Sequence, residues 1–462
     1  MYVGAIDERL KCVVPVCSVG TYQAYLGVAC CMCEMTPAAL TFTEEWGVLG
    51  LVAPRALMVI GATEEGIAFS VGEAKKSLAT ARHVFQLYDK KEHLRHTVIE
   101  SEHEYNEPMR KAMYGWMMLH LKAEGDGSPV PEPPFDTEEP SSLRCFPGNS
   151  RPADFVTAPA FAAAEARRIL GRRSISSQCE QWKSEASSMR ETLPGVLGGI
   201  AKADPIDVEV ETDATSGRRS IVLMPEPGIT VFADIRPATG VQRGLAILLD
   251  LDCGRRAGES ELAATLGAGG GEVAAIDLRA TGATAWKDDK LYRAPDHNTG
   301  QWSIWIGRPL LGQWVQDVLS LLVAYQNHLD GSPQTTAIVG VGPASLIALC
   351  TAALSAQIER VATVGGLASY VSDVPYENQR VGIMVPGMLR RVGDIPHLGA
   401  LISPRRLVIA GGVDGGGDVL SSDDLRKTYA CTQAAYTLDE SADELRILPN
   451  SDPGSIHEPL ST

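Results

Sequence analysis

The residues best suited to chemistry in the first part of the chain are two acids and a histidine, each placed after a short apolar run. Glu64 and Glu65 follow the run that ends at Ile60, and His103 follows TVIES in the segment ESEHEYNEP. An acid after one strand and a histidine after the next is the chain order in which a carboxylate orients a histidine that acts as general base. The alternative interpretation is an exposed glutamate pair and a histidine that caps a helix.

A second group of candidates lies in the C-terminal half, where the apolar run AIVGV leads into a glycine turn and a helical stretch. In a nucleophile turn of the type GxSxG the serine stands at the tip between strand and helix. Gly342 occupies that place, and glycine has no side chain that could form an acyl-enzyme. Asp414 lies where the orienting acid is expected, but Pro453 or Gly454 stands at the place of the histidine, and His457 comes a few residues late. We therefore expect this degenerate site to be non-catalytic.

The two groups belong to one unit that occurs twice. Residues 53–66, APRALMVIGATEEG, return 350 positions later as SPRRLVIAGGVDGG, with five identities in fourteen positions. Residues 10–16 precede the first copy at nearly the same offset as residues 358–364 precede the second. A repeat at a fixed offset predicts the same structural unit in both places.

Ser18 is the candidate nucleophile by chain order, because Ser18, Glu65 and His103 follow one another as nucleophile, acid and base do in this arrangement. Two features argue against it. Val16 stands where the first glycine of the nucleophile turn belongs, and the repeat assigns residues 10–16 to the strand after the nucleophile strand. Cys17 and the other cysteines are weaker candidates.

Apolar runs alternate with helical patterns along the chain, which predicts an α/β fold with a mostly parallel sheet and helices on both faces. We expect strands that include residues 10–16, 57–60, 84–88 and 97–99 in the first part. The composition divides the chain into four segments: residues 1–122, a linker rich in proline and glutamate at 123–154, a helical connector at 155–204, and a second domain at 205–462.

The composition of the chain excludes some classes of binding partner. A net charge of −16 leaves no basic surface for nucleic acid, and no apolar run is long enough to span a membrane. The start of the chain lacks the regions of a signal peptide, so cytoplasmic is the default expectation, and secretion would require a missing upstream segment. Cys30, Cys31 and Cys33 lack a fourth ligand at a zinc spacing, so the sequence predicts no metal and no cofactor.

Residues 1–121 resemble the C-terminal half of bacterial α/β-hydrolases of the acetyl xylan esterase and dienelactone hydrolase type. The similar segments are DERLKCVVPVCSVGTYQAYL, TFTEEWGVLGLVAPRALMVIGATEE and ESEHEYNEPMRKAMYGWM. Residues 205–462 are similar to the same fold, most clearly in GRPLLGQWVQDVL and VPGMLRRVGDIPHLGALISPRRLVIAG. The resemblance implies a partial and a near-complete copy of the fold, with His103 as base and Glu65, or Glu64, as acid. The family more often has aspartate in this loop.

The resemblance implies a carboxylic-ester hydrolase whose first copy is N-terminally truncated, its GxSxG lying before Met1, so that this chain is inactive or very weak. An acylated carbohydrate or a small ester is the expected substrate. A non-catalytic scaffold or a carbohydrate-binding protein is the first alternative, and a hydrolase that uses Ser18, Glu65 and His103 is the second. A sheet that lacks its first strands exposes an edge, which predicts self-association.

Overall fold

The computed structural model describes residues 1–28, 32–148, 150–172, 175, 177–200, 204–239, 244–289, 294–329, 333–452, 456 and 460. The chain forms two compact units, Met1–Phe155 and Val156–Thr462, which we call the first and the second unit. The proline-rich segment that follows residue 122 lies in the first unit, where Arg110 pairs with Glu132. The helical segment that the sequence assigns to a connector lies in the second unit, because its apolar face, including Trp182 and Leu193, is buried in that unit's core.

The first unit is a short parallel sheet with helices around it. Its strands are β1 (Cys12–Val13), β2 (Ala56–Ala62) and β3 (Leu94–Ile99), in the order β1-β2-β3 with parallel pairing throughout. Its helices are α1 (Tyr2–Ile6), α2 (Tyr22–Leu26), α3 (Glu45–Gly50), α4 (Val71–Leu87) and α5 (Glu107–Met117), the last continued by a π-helical turn at Met118–Lys122.

The middle strand β2 is buried along its whole length, as its continuous apolar sequence predicts for the centre of a parallel sheet. Strand β1 is shorter than the predicted residues 10–16. Pro15 has no N–H to donate, and beyond Val13 only an isolated bridge from Val16 to Ile60 continues the pairing.

One predicted strand is wrong. Residues 84–88 form the end of helix α4 and the turn that follows it. Of the run VFQLY, Phe85 is fully buried while Leu87 and Tyr88 are exposed, which is the pattern of one helical face and not of a buried strand. Ser70 caps the start of α4 by accepting a hydrogen bond from the backbone N–H of Glu73.

The described residues of the second unit contain a sheet of nine strands. They are β4 (Asp207–Thr212), β5 (Arg219–Glu226), β6 (Ile229–Arg236), β7 (Gly244–Leu249), β8 (Glu272–Asp277), β9 (Thr335–Val341), β10 (Arg360–Val364), β11 (Arg406–Ala410) and β12 (Leu445–Leu448). Its helices are α6 (Ala158–Leu170), α7 (Cys179–Val196), α8 (Glu261–Gly267), α9 (His297–Trp305), α10 (Leu310–His328), α11 (Ser345–Leu354), α12 (Met388–Arg391), α13 (Ile395–Ala400), α14 (Ser422–Thr428) and α15 (Ala430–Leu438).

The strand order of this sheet is β12-β11-β10-β9-β7-β8-β6-β5-β4. The strands from β7 to β12 pair in parallel, whereas β4, β5, β6 and β8 form antiparallel pairs. Buried side chains form one large core cluster and a smaller second cluster that together contain residues from both faces of the central strands. The mostly parallel sheet with helices that the sequence predicts is therefore present.

The two copies of the sequence repeat have a similar local structure. In each, three successive parallel strands are formed, β1-β2-β3 and β10-β11-β12, and a cis peptide bond precedes Pro54 and Pro404. The arginine after each proline is used in the same way. Arg55 donates to the carbonyl oxygens of Asp7 and Leu10, just before β1, and Arg405 donates to those of Ser355 and Ile358, just before β10. This geometry is what a repeat predicts, and the repeat itself stays a prediction.

None of the helices in the described ranges combines the length and the apolar character needed to cross a membrane.

Candidate functional site

Three reactive side chains of the first unit lie at the carboxyl ends of its three strands. Cys17 follows β1, Glu65 follows β2 and His103 follows β3. Because the strands are parallel, their carboxyl ends meet at one edge of the sheet, which is where ligand sites of open α/β sheets are found. One potential ligand atom of each residue lies within 4.8 Å of the other two.

Backbone hydrogen bonds beyond the strands bring Glu65 and His103 together. The N–H of Thr63 donates to the carbonyl oxygen of Ile99 at 3.0 Å, and the N–H of Glu64 donates to the carbonyl oxygen of Ser101 at 3.0 Å. The N–H of Ser101 in turn donates to the hydroxyl oxygen of Thr63 at 3.3 Å. The loops after β2 and β3 therefore continue the strand pairing, which holds the two loops side by side.

The histidine loop is also fixed internally. The side-chain amide of Asn106 donates to the Ser101 hydroxyl and to the Glu104 carboxylate, both at 2.9 Å. The Ser101 hydroxyl donates to the same carboxylate at 2.6 Å, and the oxygen of Asn106 caps helix α5 by accepting from the N–H of Met109. His103 lies in the sequence between Ser101 and Glu104, so these hydrogen bonds hold the backbone on both sides of it.

The imidazole of His103 faces the carboxylate of Glu65. Nδ1 of His103 is 2.9 Å from Oε2 and 3.1 Å from Oε1 of Glu65. The Glu65 side chain is only 3% exposed, whereas that of His103 is 66% exposed. A carboxylate can only accept, so Nδ1 is the protonated nitrogen, and Nε2 keeps a lone pair that can take a proton. This is the arrangement of an oriented general base.

The structure distinguishes between the two glutamates that the sequence left as alternatives. Glu64 has an exposed side chain, and it enters the site only through its backbone N–H. Glu65 is the acid that contacts His103. The structure thus brings together Glu65 and His103 from the predicted residues and leaves Glu64 outside.

Cys17, a weaker candidate than Ser18 in the sequence, has its sulfur close to Glu65 and His103 in the structure. Its backbone N–H donates to the carbonyl oxygen of Ile60 at 2.9 Å, and its φ of 51° is rare for a residue with a side chain. Its thiol donates to the carbonyl oxygen of Glu104 at 3.5 Å. Burial, reinforced by the hydrogen bond and the charge of Glu65, raises the pKa of the Cys17 thiol to about 11.

Ser18, the residue after Cys17, is half-buried. Within the described part of the chain no hydrogen bond joins its hydroxyl to His103. The position of Cys17 in the sequence indicates that it belongs to the site. It is the first residue after the predicted strand 10–16, and that strand lies next to the strand that precedes Glu65.

In the second unit Gly342 stands at the tip between β9 and α11, as the nucleophile-turn interpretation requires. Its φ is 53°, and a Cβ built on it would meet no atom within 4 Å. Ser345 is buried and donates its hydroxyl to the carbonyl oxygen of Gly340 at 2.9 Å, which directs it away from the tip. The geometry of a nucleophile turn is thus present without a nucleophile.

Of the other residues predicted for this site, the structure describes Asp414. Oδ1 of Asp414 accepts the backbone N–H of Asp418 at 3.0 Å, a bond that closes its own loop. His457, Pro453 and Gly454 lie outside the described residues.

Comparison with known proteins identifies the fold. No family model matches the sequence, and no curated protein does either. Among solved structures, a Bacteroides fragilis protein whose assignment as an acetyl xylan esterase is provisional is 12% identical, with a TM-score of 0.53 over 65% of this chain and 84% of its own. A carbohydrate esterase family 15 glucuronoyl esterase from Caldicellulosiruptor kristjansonii is 15% identical, with a TM-score of 0.43 over 61% of this chain and 84% of its own.

At 12% identity the similarity to the Bacteroides fragilis structure defines the fold alone. The chain has an α/β-hydrolase-like fold, and the fold class predicted from the sequence is confirmed.

Proposed function

We propose that the chain is a carboxylic-ester hydrolase of the carbohydrate-esterase type, in which Glu65 and His103 are the acid and the base. The observation that carries the proposal is the hydrogen bond between Nδ1 of His103 and the buried carboxylate of Glu65, 2.9 Å long, at the carboxyl ends of adjacent parallel strands. The Bacteroides fragilis protein of similar fold is provisionally assigned as an acetyl xylan esterase, which supports an acetylated carbohydrate as the substrate class.

The chemistry follows from the free Nε2 of His103. In hydrolysis, Nε2 removes a proton from the attacking oxygen or sulfur, that atom bonds to the ester carbonyl carbon, and the C–O bond to the alcohol breaks as the proton passes to the alkoxide. If the attacking atom belongs to a side chain, Nε2 then removes a proton from a water molecule, whose oxygen attacks the acyl group and releases the carboxylic acid as the side chain regains its proton. Positioned general-base catalysis contributes rate factors of roughly 10² to 10⁴. Because the tip residue Gly342 has no nucleophile, we expect this chain to hydrolyse esters weakly.

The nucleophile is the open element of the proposal. A water molecule activated by His103 requires no further residue. Ser18 is the candidate from chain order, and Cys17 is the nucleophilic side chain whose reactive atom lies with Glu65 and His103. The raised pKa of the Cys17 thiol means that it must lose its proton to His103 in order to attack.

Hydrolysis of p-nitrophenyl acetate tests the proposal, with the chain kept free of metal by a chelator. We expect His103→Ala and Glu65→Gln to lower kcat/KM by at least about 10-fold, since each removes one half of the oriented base. His83→Ala is the matched control, because His83 is an exposed histidine of the same unit on helix α4. Equal rates for His103→Ala and His83→Ala would contradict the proposal.

The same assay separates the nucleophiles. If Ser18→Ala alone abolishes turnover, the nucleophile is Ser18. Loss in Cys17→Ala, together with loss after alkylation of the unmodified chain, identifies Cys17. Turnover that survives both substitutions and still needs His103 identifies water.

Ligand binding without catalysis is a second candidate function, and a cavity in the second unit favours it. The cavity measures about 650 Å³ and is lined by Trp182 and by several arginines, including Arg172 and Arg391. Guanidinium groups around one cavity suit an acidic carbohydrate or another anionic ligand. Titration with acidic oligosaccharides should show binding that Arg391→Ala weakens and that Arg426→Ala, at an exposed arginine away from this cavity, leaves unchanged.

Self-association through the first sheet is a further part of the proposal. β1 and β3 are the two edges of this sheet in the described residues, and Val98 on β3 is exposed. Unpaired strand edges tend to pair with another chain. Light scattering coupled to size-exclusion chromatography should therefore give a mass above that of one chain, and a monomer at all concentrations would contradict this.

A further inference from the structure

We propose that Cys17, Glu65 and His103 form a binding site for a divalent cation of the zinc class. The three residues offer a sulfur, a carboxylate oxygen and an imidazole nitrogen, with one atom of each within 4.8 Å of the other two. They come from three separate loops at one edge of the first sheet, so the grouping results from the fold and not from a local run of acids.

The imidazole and the carboxylate are spaced much as two ligands of one metal ion are, and the Cys17 sulfur lies within 4.8 Å of both. Zinc binds cysteine sulfur at about 2.3 Å and histidine nitrogen or carboxylate oxygen at about 2.0 to 2.2 Å in tetrahedral geometry, which places ligand atoms roughly 3.3 to 3.6 Å apart. Nδ1 of His103 is 2.9 and 3.1 Å from the two oxygens of Glu65. A shift of a few tenths of an ångström in the exposed histidine opens this pair enough to admit an ion.

The ligands are held in place before any ion binds. Cys17 is fixed by its backbone hydrogen bond to Ile60 and adopts a left-handed conformation, with a φ of 51°. Backbone strain of this kind in a residue other than glycine is concentrated at functional sites. The loop of His103 is fixed by the network of Ser101, Glu104 and Asn106. Little ordering is therefore left for the ion to impose.

The ligand types select the metal. A thiolate and an imidazole favour zinc, or cobalt as its spectroscopic substitute, over magnesium and calcium, which prefer oxygen ligands. The Glu65 side chain is buried while two-thirds of the His103 side chain is exposed, at 3% and 66%. With three protein ligands, and with His103 facing solvent, the fourth coordination position is open to water or to a ligand. Catalytic zinc sites have this arrangement.

The proposed metal site and the proposed general base share the imidazole of His103. An ion on Nδ1 leaves the proton of the neutral imidazole on Nε2, so that Nε2 no longer accepts a proton. The ion also takes the Glu65 carboxylate that orients the ring. We therefore expect zinc to inhibit the ester hydrolysis, a consequence that rests on the proposed function, whereas the binding itself does not depend on it.

Titration of the full metal-free chain with Co²⁺ tests the site. We expect one ion per chain and a sulfur-to-cobalt charge-transfer band in the near ultraviolet. Cys17→Ser should abolish this band, and His103→Ala should weaken binding on the order of 100-fold. His103 is exposed, so its removal leaves folding intact, and circular dichroism of each variant confirms this.

Cys33→Ser is the matched control because Cys33 is an exposed cysteine of the same unit. The proposal is overturned if the band persists in Cys17→Ser and disappears in Cys33→Ser, or if no band forms at a tenfold excess of Co²⁺. Adding Zn²⁺ to the ester assay is scored separately. Binding without inhibition contradicts only the link to catalysis, and binding by a chain with no esterase activity supports the site while removing the proposed function.

Discussion

Nδ1 of His103 lies 2.9 Å from Oε2 of Glu65, although the two residues are 38 positions apart in the chain. The contact is a product of strand pairing. The register that pairs Ala62 with Ile99 at the end of β2 and β3 continues as backbone hydrogen bonds into the two loops. Glu65 and His103 therefore lie side by side because the two parallel strands that precede them end at the same edge of the sheet.

This contact predicts the tautomer of His103. An ionised carboxylate cannot donate, so the proton of the neutral ring must lie on Nδ1, whereas free imidazole side chains favour the other nitrogen. We expect ¹⁵N-edited spectra of histidine-labelled protein to show the Nδ1–H form for His103 at pH 8, and Glu65→Ala to shift it to the Nε2–H form. The exposed His83 should show the same tautomer in both proteins. An unchanged His103 spectrum in Glu65→Ala would show that the contact does not exist in solution.

Much of this site could be predicted from the sequence because the ends of apolar runs indicate where the strands end. The apolar run at residues 56–62 and its acidic loop indicate a central parallel strand, and the pairing of that loop with the loop of His103 follows from chain order. Gly342 was likewise placed at a turn from the strand and helix on either side of it.

The sequence could not show which side chains point into the site. Cys17 has a left-handed φ, which is not visible in residue types, whereas the glycine two places after Ser18 resembles the second glycine of a nucleophile turn. Residues 84–88 were mistaken for a strand because a short apolar run fits either structure, and only the burial of Phe85 beside an exposed Leu87 separates the two.

The tip at Gly342 should tolerate a side chain, whereas Gly340 should not. A Cβ at Gly342 meets no atom within 4 Å, so Gly342→Ala costs only the left-handed conformation, about 1 kcal/mol in the free energy of unfolding. A Cβ at Gly340 would come within 2.4 Å of the carbonyl oxygen of Ala344 in the helix start, which must then move. We expect Gly340→Ala to cost about 3 kcal/mol or more.

Urea unfolding followed by tryptophan fluorescence measures both changes. Gly342→Ser serves as the companion to Gly342→Ala, since it tests the same backbone conformation with the side chain of a nucleophile. Equal destabilisation by Gly340→Ala and Gly342→Ala would show that the turn does not have the close strand and helix contact seen here.

The arginine of the repeated Pro-Arg turn should be a large contributor to the stability of the second unit. The guanidinium of Arg405 donates to the carbonyl oxygens of Ser355, Ile358 and Ala352 at 2.9, 2.6 and 2.7 Å. Burial lowers the pKa of Arg405, in line with its position inside the structure. Arg405→Met keeps the apolar stem and leaves three carbonyl groups without this donor, which should cost about 3 kcal/mol.

Thermal unfolding of Arg405→Met and Arg426→Met compares a partly buried with an exposed arginine. Arg426 has an exposed side chain, and its substitution should stay within about 0.5 kcal/mol of the parent chain. If Arg405→Met is as stable as Arg426→Met, the three hydrogen bonds contribute no net stability.

The stability of the first unit should depend on pH through Glu45. This residue is 3% exposed, and burial raises its pKa to about 8 from an ordinary value of 4.5, in spite of a hydrogen bond from the N–H of Gly20. Between these two pH values the folded state binds more protons than the unfolded state, so the free energy of unfolding falls as pH rises, by at most about 1.4 kcal/mol per pH unit. Below pH 4.5 and above pH 8 this contribution is constant.

Glu45→Gln removes the ionisation and keeps an oxygen that can accept from Gly20. We therefore expect the variant and the parent to differ little at pH 4.5 and the variant to become progressively more stable up to pH 8, as measured by urea unfolding at a series of pH values. Glu8→Gln, at an exposed glutamate, is the control that reports any general effect of removing a negative charge from this acidic chain. A stability difference between Glu45→Gln and the parent that does not change with pH would mean that Glu45 is not buried as described.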